Sequence, residues 1–336
     1  MSFPSHDLSP MEAKLVDALP EGSPWRYEPK WDGFRCLAFR DGKDIEIMSK
    51  SGKSLSRYFP EITAMLARLP SQRFVLDGEL LIDTDGALSF EALQARLHPA
   101  ASRIAKLSTA TPARLMLFDC LWEAGPLGAK PLDERRAALE RWAAANSDPA
   151  LSLSPVTDRL AQAQAWLDHS GGALDGVVAK RGDEPYQPGE RAMLKIKVRH
   201  TADCVVGGFR YASNSHEIGS LLLGLYDEAG LLNHIGFVSG LPPEVRAGLK
   251  ERFEAMVEPP GFTGKAPGGP SRWSTERSTE WQPLRTELVV EVGYDQVTGH
   301  RLRHAAGFIR WRPDKAPRQC EMTQLARPLA VATLGL

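Results

Sequence analysis

Short β-forming runs recur along this chain between turn residues. Residues 35–40 and 44–49 flank the turn Asp41-Gly42, a hairpin signal. The runs 73–82 (RFVLDGELLI), 113–122 (ARLMLFDCLW), 173–180 (ALDGVVAK) and 192–198 (AMLKIKV) follow. Each is rich in β-branched or large apolar residues and bounded by Gly, Pro, Asp or Ser. Helical patterns lie between them at 59–69, 90–97, 132–145 and 161–169, the last two with apolar residues three and four apart. Strands and helices interleaved in this way predict an α+β domain with a largely antiparallel sheet.

After Lys197 the texture changes. Residues 202–211, 220–226 and 231–238 read as three consecutive strands, and 243–257 reads as one amphipathic helix. A Gly/Pro/Ser-rich loop follows at 259–271, then strands at 287–294 and 307–312. Five strands with one inserted helix fit a small barrel, with the oligonucleotide/oligosaccharide-binding (OB) barrel the leading candidate. A chain of 336 residues is long enough for two domains, and the boundary is expected at 198–201.

Composition excludes some classes of function. The net charge is −1, so the chain as a whole is no polycation. Residues 300–320 nevertheless hold six Lys/Arg against Asp314 alone, which would suit a polyphosphate partner. Cys36, Cys120, Cys204 and Cys320 form no CxxC pair, so neither a zinc ribbon nor a disulfide framework is suggested. The opening ten residues are polar and no apolar run is long enough to cross a bilayer, so a soluble, cytoplasmic protein is expected.

The chemistry centres on Glu28-Pro29-Lys30-Trp31-Asp32-Gly33-Phe34-Arg35, where a lysine just before a strand is followed by a carboxylate two residues on and an arginine five residues on. A free lysine amine is protonated near neutral pH and attacks phosphorus only if burial or neighbouring cations lower its pKa. Taken alone, such a lysine is ordinarily a surface salt-bridge partner. Its companions, in order, are Ser49-Lys50-Ser51-Gly52-Lys53, Asp77-Gly78-Glu79, Phe118-Asp119, Asp175-Gly176-Val177-Val178-Ala179-Lys180, Lys195-Ile196-Lys197 and Arg312-Pro313-Asp314-Lys315. Singly each has a bland explanation: a turn, a core aromatic, a solvated strand face. Together they run from Glu28 to Lys315.

This ordered set resembles the covalent nucleotidyltransferases: DNA ligases, RNA ligases and mRNA capping enzymes. The resemblance implies an adenylation domain with antiparallel sheets over residues 1–198 and an all-β OB-fold barrel over 199–336. It implies that Lys30 attacks the α-phosphate of ATP, and that Phe118 stacks on the purine. Arg35, and Glu28 through its backbone, would fix the ribose and base. Lys50 would add a phosphate-binding charge, as would Lys195, Lys197 and Arg191 from one edge strand, where Lys195 and Lys197 share a face. The same charges would depress the pKa of Lys30. Glu79 and Asp175 are hard oxygen ligands of the kind Mg²⁺ or Mn²⁺ prefers. Arg312 and Lys315 would neutralise the leaving pyrophosphate from the second domain.

Two departures qualify the match. Asp175 stands where the family usually has Glu, so a metal ligand there must come closer or act through water. Lys50 stands where Arg is common, supplying charge but no bidentate fork. Residues 27–40, 194–226 and 303–317 resemble the stand-alone bacterial ligase C type and the ligase module of bacterial ligase D. The expected partner is nicked double-stranded DNA, bound by a monomer. Capping enzymes and RNA ligases share the lysine motif and form one alternative, and a nucleotidyltransferase decayed to a nucleic-acid binder forms another.

Overall fold

The computed structural model describes residues 3–84, 87–168, 170, 174–198, 200–213, 215–268 and 280–325. Residue 199 of the expected boundary, residues 169 and 173 of an expected helix and strand, 269–271 of the Gly/Pro/Ser-rich loop and 326–336 lie outside them. The described residues divide into two compact units, 3–198 and 200–325.

In chain order the first unit forms β1 (Ala13–Leu15), β2 (Trp25–Trp31), β3 (Phe34–Asp41), β4 (Asp44–Ser49), α1 (Pro60–Arg68), β5 (Arg73–Thr84) and β6 (Ala87–Leu88). It continues with α2 (Phe90–Arg96), α3 (Ala101–Ala110), β7 (Ala113–Trp122), α4 (Leu132–Ala145), β8 (Leu151–Leu153), α5 (Leu160–Asp168), β9 (Leu174–Arg181) and β10 (Met193–Ile196). These strands build two sheets, ordered β1-β10-β9-β2 and β4-β3-β5-β7-β8, with β6 on β5. Every ladder is antiparallel except β1–β10 and β7–β8.

Alternation along the strands gives each sheet two apolar faces. One face of the larger sheet, with Cys36, Phe74, Leu76, Leu115 and Leu117, packs under α1 and α4. Phe74 and Trp142 of α4 meet edge to face with centroids 5.0 Å apart. The fully buried Arg135 of α4 grips Asp119 of β7 through two bonds of 2.8 and 2.9 Å, so neither charge is left unpaired in the interior. The opposite face, with Leu37, Phe39 and Val75, meets Met193 and Val178 of the smaller sheet.

Two local expectations need correction, and one helix has no counterpart among them. Lys30 lies within a strand rather than just before one. The strand hides in the sequence because Pro29 interrupts it, and it is tolerated because β2 is the outermost strand of its sheet. β10 is not an edge strand, because the three-residue β1 adds to it in parallel. Helix α3 was not expected, and of its residues only Ile104 is buried.

The second unit forms β11 (His200–Tyr211), β12 (Ile218–Tyr226), β13 (Leu232–Ser239), α6 (Pro243–Arg246), α7 (Leu249–Glu254), β14 (Gln282–Pro283), β15 (Val289–Tyr294), β16 (Val297–Thr298), β17 (Arg301–Leu302) and β18 (Gly307–Trp311). The expected single helix is broken at Gly248, whose φ of 73° is left-handed and stops helix propagation. Its sheet runs β13-β12-β11-β15-β18, with β14 also on β11. That ladder is not closed, but a parallel bridge joins Val238 of β13 to Ala306, just before β18. There the Ala306 amide donates to the Phe237 carbonyl at 2.9 Å. The curled sheet with helices between its third and fourth long strands is consistent with the partly open barrel expected. Phe209, Leu221, Leu223, Ile235 and Val290 fill its interior.

No helix among the described residues is long and apolar enough to cross a membrane. All four cysteines are buried free thiols.

Candidate active site

The inner faces of the two sheets of the first unit enclose a cavity of about 200 Å³. Period-two geometry explains its lining. Glu28 and Lys30 project from β2, Val178 and Lys180 from β9, and Met193 and Lys195 from β10. Across from them stand Arg35 of β3, Glu79 of β5 and Phe118 of β7. Arg35 and Glu79 are direct cross-strand partners. The turn between β2 and β3 sits hard against β5, because a Cβ on Gly33 would come within 2.3 Å of the Leu80 carbonyl oxygen and 2.7 Å of Glu79 Cγ. The glycine therefore sets how close Lys30 and Glu79 can lie.

Lys30 Nζ donates to Asp175 Oδ2 at 2.6 Å, and Lys197 Nζ reaches the same oxygen at 2.9 Å. Asp175 is thus a counterion shared by two lysines. Burial pushes the Glu79 carboxyl up to about 7, against the opposing pull of Lys30 and Arg35. Lys195 is shifted down, first by burial and then by Lys30, Lys197 and Lys50.

At the other end of the cavity two cations flank one aromatic ring. Arg35 holds buried Asp77 through a pair of 2.6 Å bonds, and its guanidinium carbon lies 4.6 Å from the Phe118 ring centroid. Tyr186 Oη donates to the same carboxylate at 2.6 Å and accepts from the Met11 amide at 2.8 Å. Lys180 Nζ donates to both oxygens of buried Glu28 at 2.9 Å and lies 4.7 Å from the same ring. Burial raises the Glu28 carboxyl, with Lys180 opposing it. Phe118 is 7% exposed but belongs to none of the four apolar cores among the described residues.

The remaining expected residues lie farther out. Lys50 lines the cavity and pairs with Glu12 at 3.1 Å. Arg191, 74% exposed, reaches the same Glu12 oxygen only at 3.8 Å and does not line the cavity. Lys197 falls just past the end of β10 and turns to Asp175, so Lys195 is the only one of the three basic residues on this stretch that borders the cavity. Arg312 and Lys315 belong to the second unit, where both bind Asp203 at 2.8 Å. Among the described residues no group of three or more His, Cys, Asp or Glu side chains is arranged to hold a metal ion.

Comparison with known proteins agrees with this geometry. The family model described as "ATP dependent DNA ligase domain" matches residues 10–197, and that described as "ATP dependent DNA ligase C terminal region" matches 214–315. The chain belongs to the ATP-dependent DNA ligases. It is 44% identical to DNA ligase C2 of Mycolicibacterium smegmatis, over 96% of this chain and 95% of that protein. It is likewise 44% identical to DNA ligase C of Mycobacterium tuberculosis, over 97% and 95%. Among solved structures it is similar to the ligase domain of M. tuberculosis LigD, with 29% identity, a TM-score of 0.51, and coverage of 97% of this chain and 100% of that one. A mycobacterial DNA ligase D complexed with ATP and MES matches at 28% identity and a TM-score of 0.51 over 95% and 99%.

For a ligase of this family, sequence reasoning missed Asp77, Lys180, Tyr186 and Glu12 as members of the site. Asp77 and Lys180 lie inside the motifs themselves. Their roles as counterions to Arg35 and Glu28 emerge only once those two are known to be buried. Tyr186 and Glu12 have no motif signal at all.

Proposed function

We propose that this enzyme seals 3′-hydroxyl/5′-phosphate nicks in double-stranded DNA, in repair, through a lysyl-AMP intermediate on Lys30. Residues 1–198 are the adenylation domain and residues 199–336 the OB-fold domain. The observation that carries the reading is the convergence of Lys30, Glu79, Lys195, Arg35 and Phe118 on one cavity. The neutral Lys30 amine attacks the α-phosphate of ATP, the P–N bond forms as the bond to pyrophosphate breaks, and the amine proton is released. The AMP then passes to the 5′-phosphate of the nick, and the neighbouring 3′-hydroxyl displaces it.

Lys195 and Lys50 line the cavity and place positive charge where phosphate charge accumulates, which favours transfer. Phe118 offers an apolar platform for the purine, held by Arg35 and Lys180, and Glu28 anchors Lys180. Mg²⁺ or Mn²⁺ is commonly held by one or two carboxylates plus substrate phosphates. Glu79 fits that role as an oxygen donor lining the cavity, where burial raises its carboxyl and a bound cation would favour the ionised form, and Asp175 supplies a second oxygen donor beside Lys30. When bound, such an ion would neutralise charge on the phosphate oxygens. The partner is nicked duplex DNA, gripped chiefly through its backbone by a cytoplasmic monomer.

Incubation with [α-³²P]ATP is expected to label the parent chain covalently and leave Lys30→Ala unlabelled. Label on the Ala variant would assign the nucleophile elsewhere, and preferential labelling by GTP would favour the capping-enzyme reading.

A further inference from the structure

A row of charge crosses the sheet of the second unit. Asp203 on β11 stands directly opposite Glu291 on β15, which stands opposite Arg310 on β18. Two carboxylates in that relation repel, and the cations that follow β18 offset the repulsion. Arg312 Nη1 donates to both oxygens of Asp203 at 2.8 and 3.0 Å and lies 3.7 Å from Glu291. Lys315 Nζ donates to Asp203 Oδ2 at 2.8 Å. The other edge of the same guanidinium is taken by Asp314, from Nε at 3.0 Å and from Nη2 at 2.8 Å.

The two acids holding Arg312 are not equivalent. The Asp203 side chain is 12% exposed, and its backbone is fixed at both ends by Gln324, which accepts from its amide and donates to its carbonyl at 3.1 Å. Asp314 is 59% exposed and two residues from its partner. A phosphate arriving at this surface can replace Asp314, which returns to water at little cost, and gain the planar two-bond edge that arginine offers to phosphate. Replacing Asp203 instead would strand a nearly buried carboxylate without its cations, which is unfavourable.

We infer that Asp203 is a positioning residue for nucleotidyl transfer. It keeps hold of Arg312 and Lys315 while the outer edge of Arg312 exchanges Asp314 for phosphate oxygens of ATP. The inference rests on the assignment of Arg312 and Lys315 to the first step, which the resemblance implies. An acid that merely stabilised the sheet would affect every step through unfolding alone.

The test is Asp203→Asn, which removes the charge and keeps the shape, measured beside Arg312→Ala and Asp203→Glu in the full-length chain. Self-adenylation at saturating ATP is expected to slow about tenfold in Asp203→Asn, the scale of a misaligned phosphate contact. Sealing of a nick that already carries 5′-AMP should stay within about twofold of the parent. Asp203→Glu, which retains the charge, should recover part of the lost rate. A parental labelling rate in Asp203→Asn beside a defective Arg312→Ala would overturn the inference and leave the assignment of Arg312 standing. A parental rate in both variants would overturn that assignment and the inference with it. If the melting curve shows Asp203→Asn to be unfolded, Asp203→Glu decides: a first-step defect with intact sealing supports positioning, and a parental rate overturns it.

Discussion

Burial pushes the Glu79 carboxyl up to about 7 from an ordinary value of 4.5, against the pull of Lys30 and Arg35. Between those two values the folded protein holds a proton that the unfolded chain has released. Stability from this group is therefore fully present below about pH 4.5 and is lost as pH rises through about 7. Glu79→Gln keeps the shape and carries no charge, so it should melt close to the parent near pH 4.5 and above it at pH 8. Melting curves across that range check this, and a variant less stable than the parent at pH 8 would contradict it. Self-adenylation should fall in the same variant, because the stability gain comes from removing a charge the site uses. At this scale the sequence was most legible where chemistry imposes a fixed residue at a fixed spacing. Lys30, Arg35, Glu79, Phe118 and Lys195 all line the cavity. Asp77, whose two bonds orient Arg35, was less legible, because only burial makes a counterion necessary.

At the level of elements, most strands could be read from apolar runs, but their division into two sheets and the edges of those sheets could not. β2 escaped the strand pattern because Pro29 breaks it, and nothing local reveals that β2 is outermost in its sheet. β1 is only three residues long, too short for any periodicity, yet it determines that β10 is an interior strand. Gly248 breaks a helix that its apolar spacing alone would extend. Gly33 was legible as part of a motif, and the structure supplies its reason. Its missing Cβ lets the β2–β3 turn rest on the backbone of β5. Gly33→Ala would place a methyl carbon 2.3 Å from the Leu80 carbonyl oxygen, a backbone atom with little freedom to retreat. The turn must lift, carrying Lys30 away from Glu79. We expect a loss of about 1–3 kcal/mol in stability, the usual range for overpacking, together with slower self-adenylation. Denaturant titration beside a labelling time course measures both, and parental values in the two would remove the close approach as the reason for a glycine there.

For the molecule as a whole, the basic stretch 300–320 reads differently in three dimensions. Its six Lys/Arg face one acid in sequence, but Asp203 and Glu291 from neighbouring strands bind Arg310, Arg312 and Lys315. A surface that merely attracted DNA would not spend three of its cations on carboxylates. Cations held at fixed positions instead suit a localised polyphosphate, and the first step supplies one, the departing pyrophosphate. Arg312 and Lys315 belong to one unit and Lys30 to the other, and we propose that the two cations act in the first step, on the departing pyrophosphate. Once AMP is attached no pyrophosphate remains to be neutralised. Arg312→Ala and Lys315→Ala are therefore expected to slow self-adenylation by at least tenfold, on the order of one lost charged contact to a phosphate. Both should still seal a nick that already bears 5′-AMP. If the two residues only gripped DNA, labelling by ATP would be normal and sealing would weaken, more so as salt rises. Parallel rates of ATP labelling and of sealing of pre-adenylated nicks separate the two roles, and normal labelling in both variants would reduce this part of the second unit to a DNA contact.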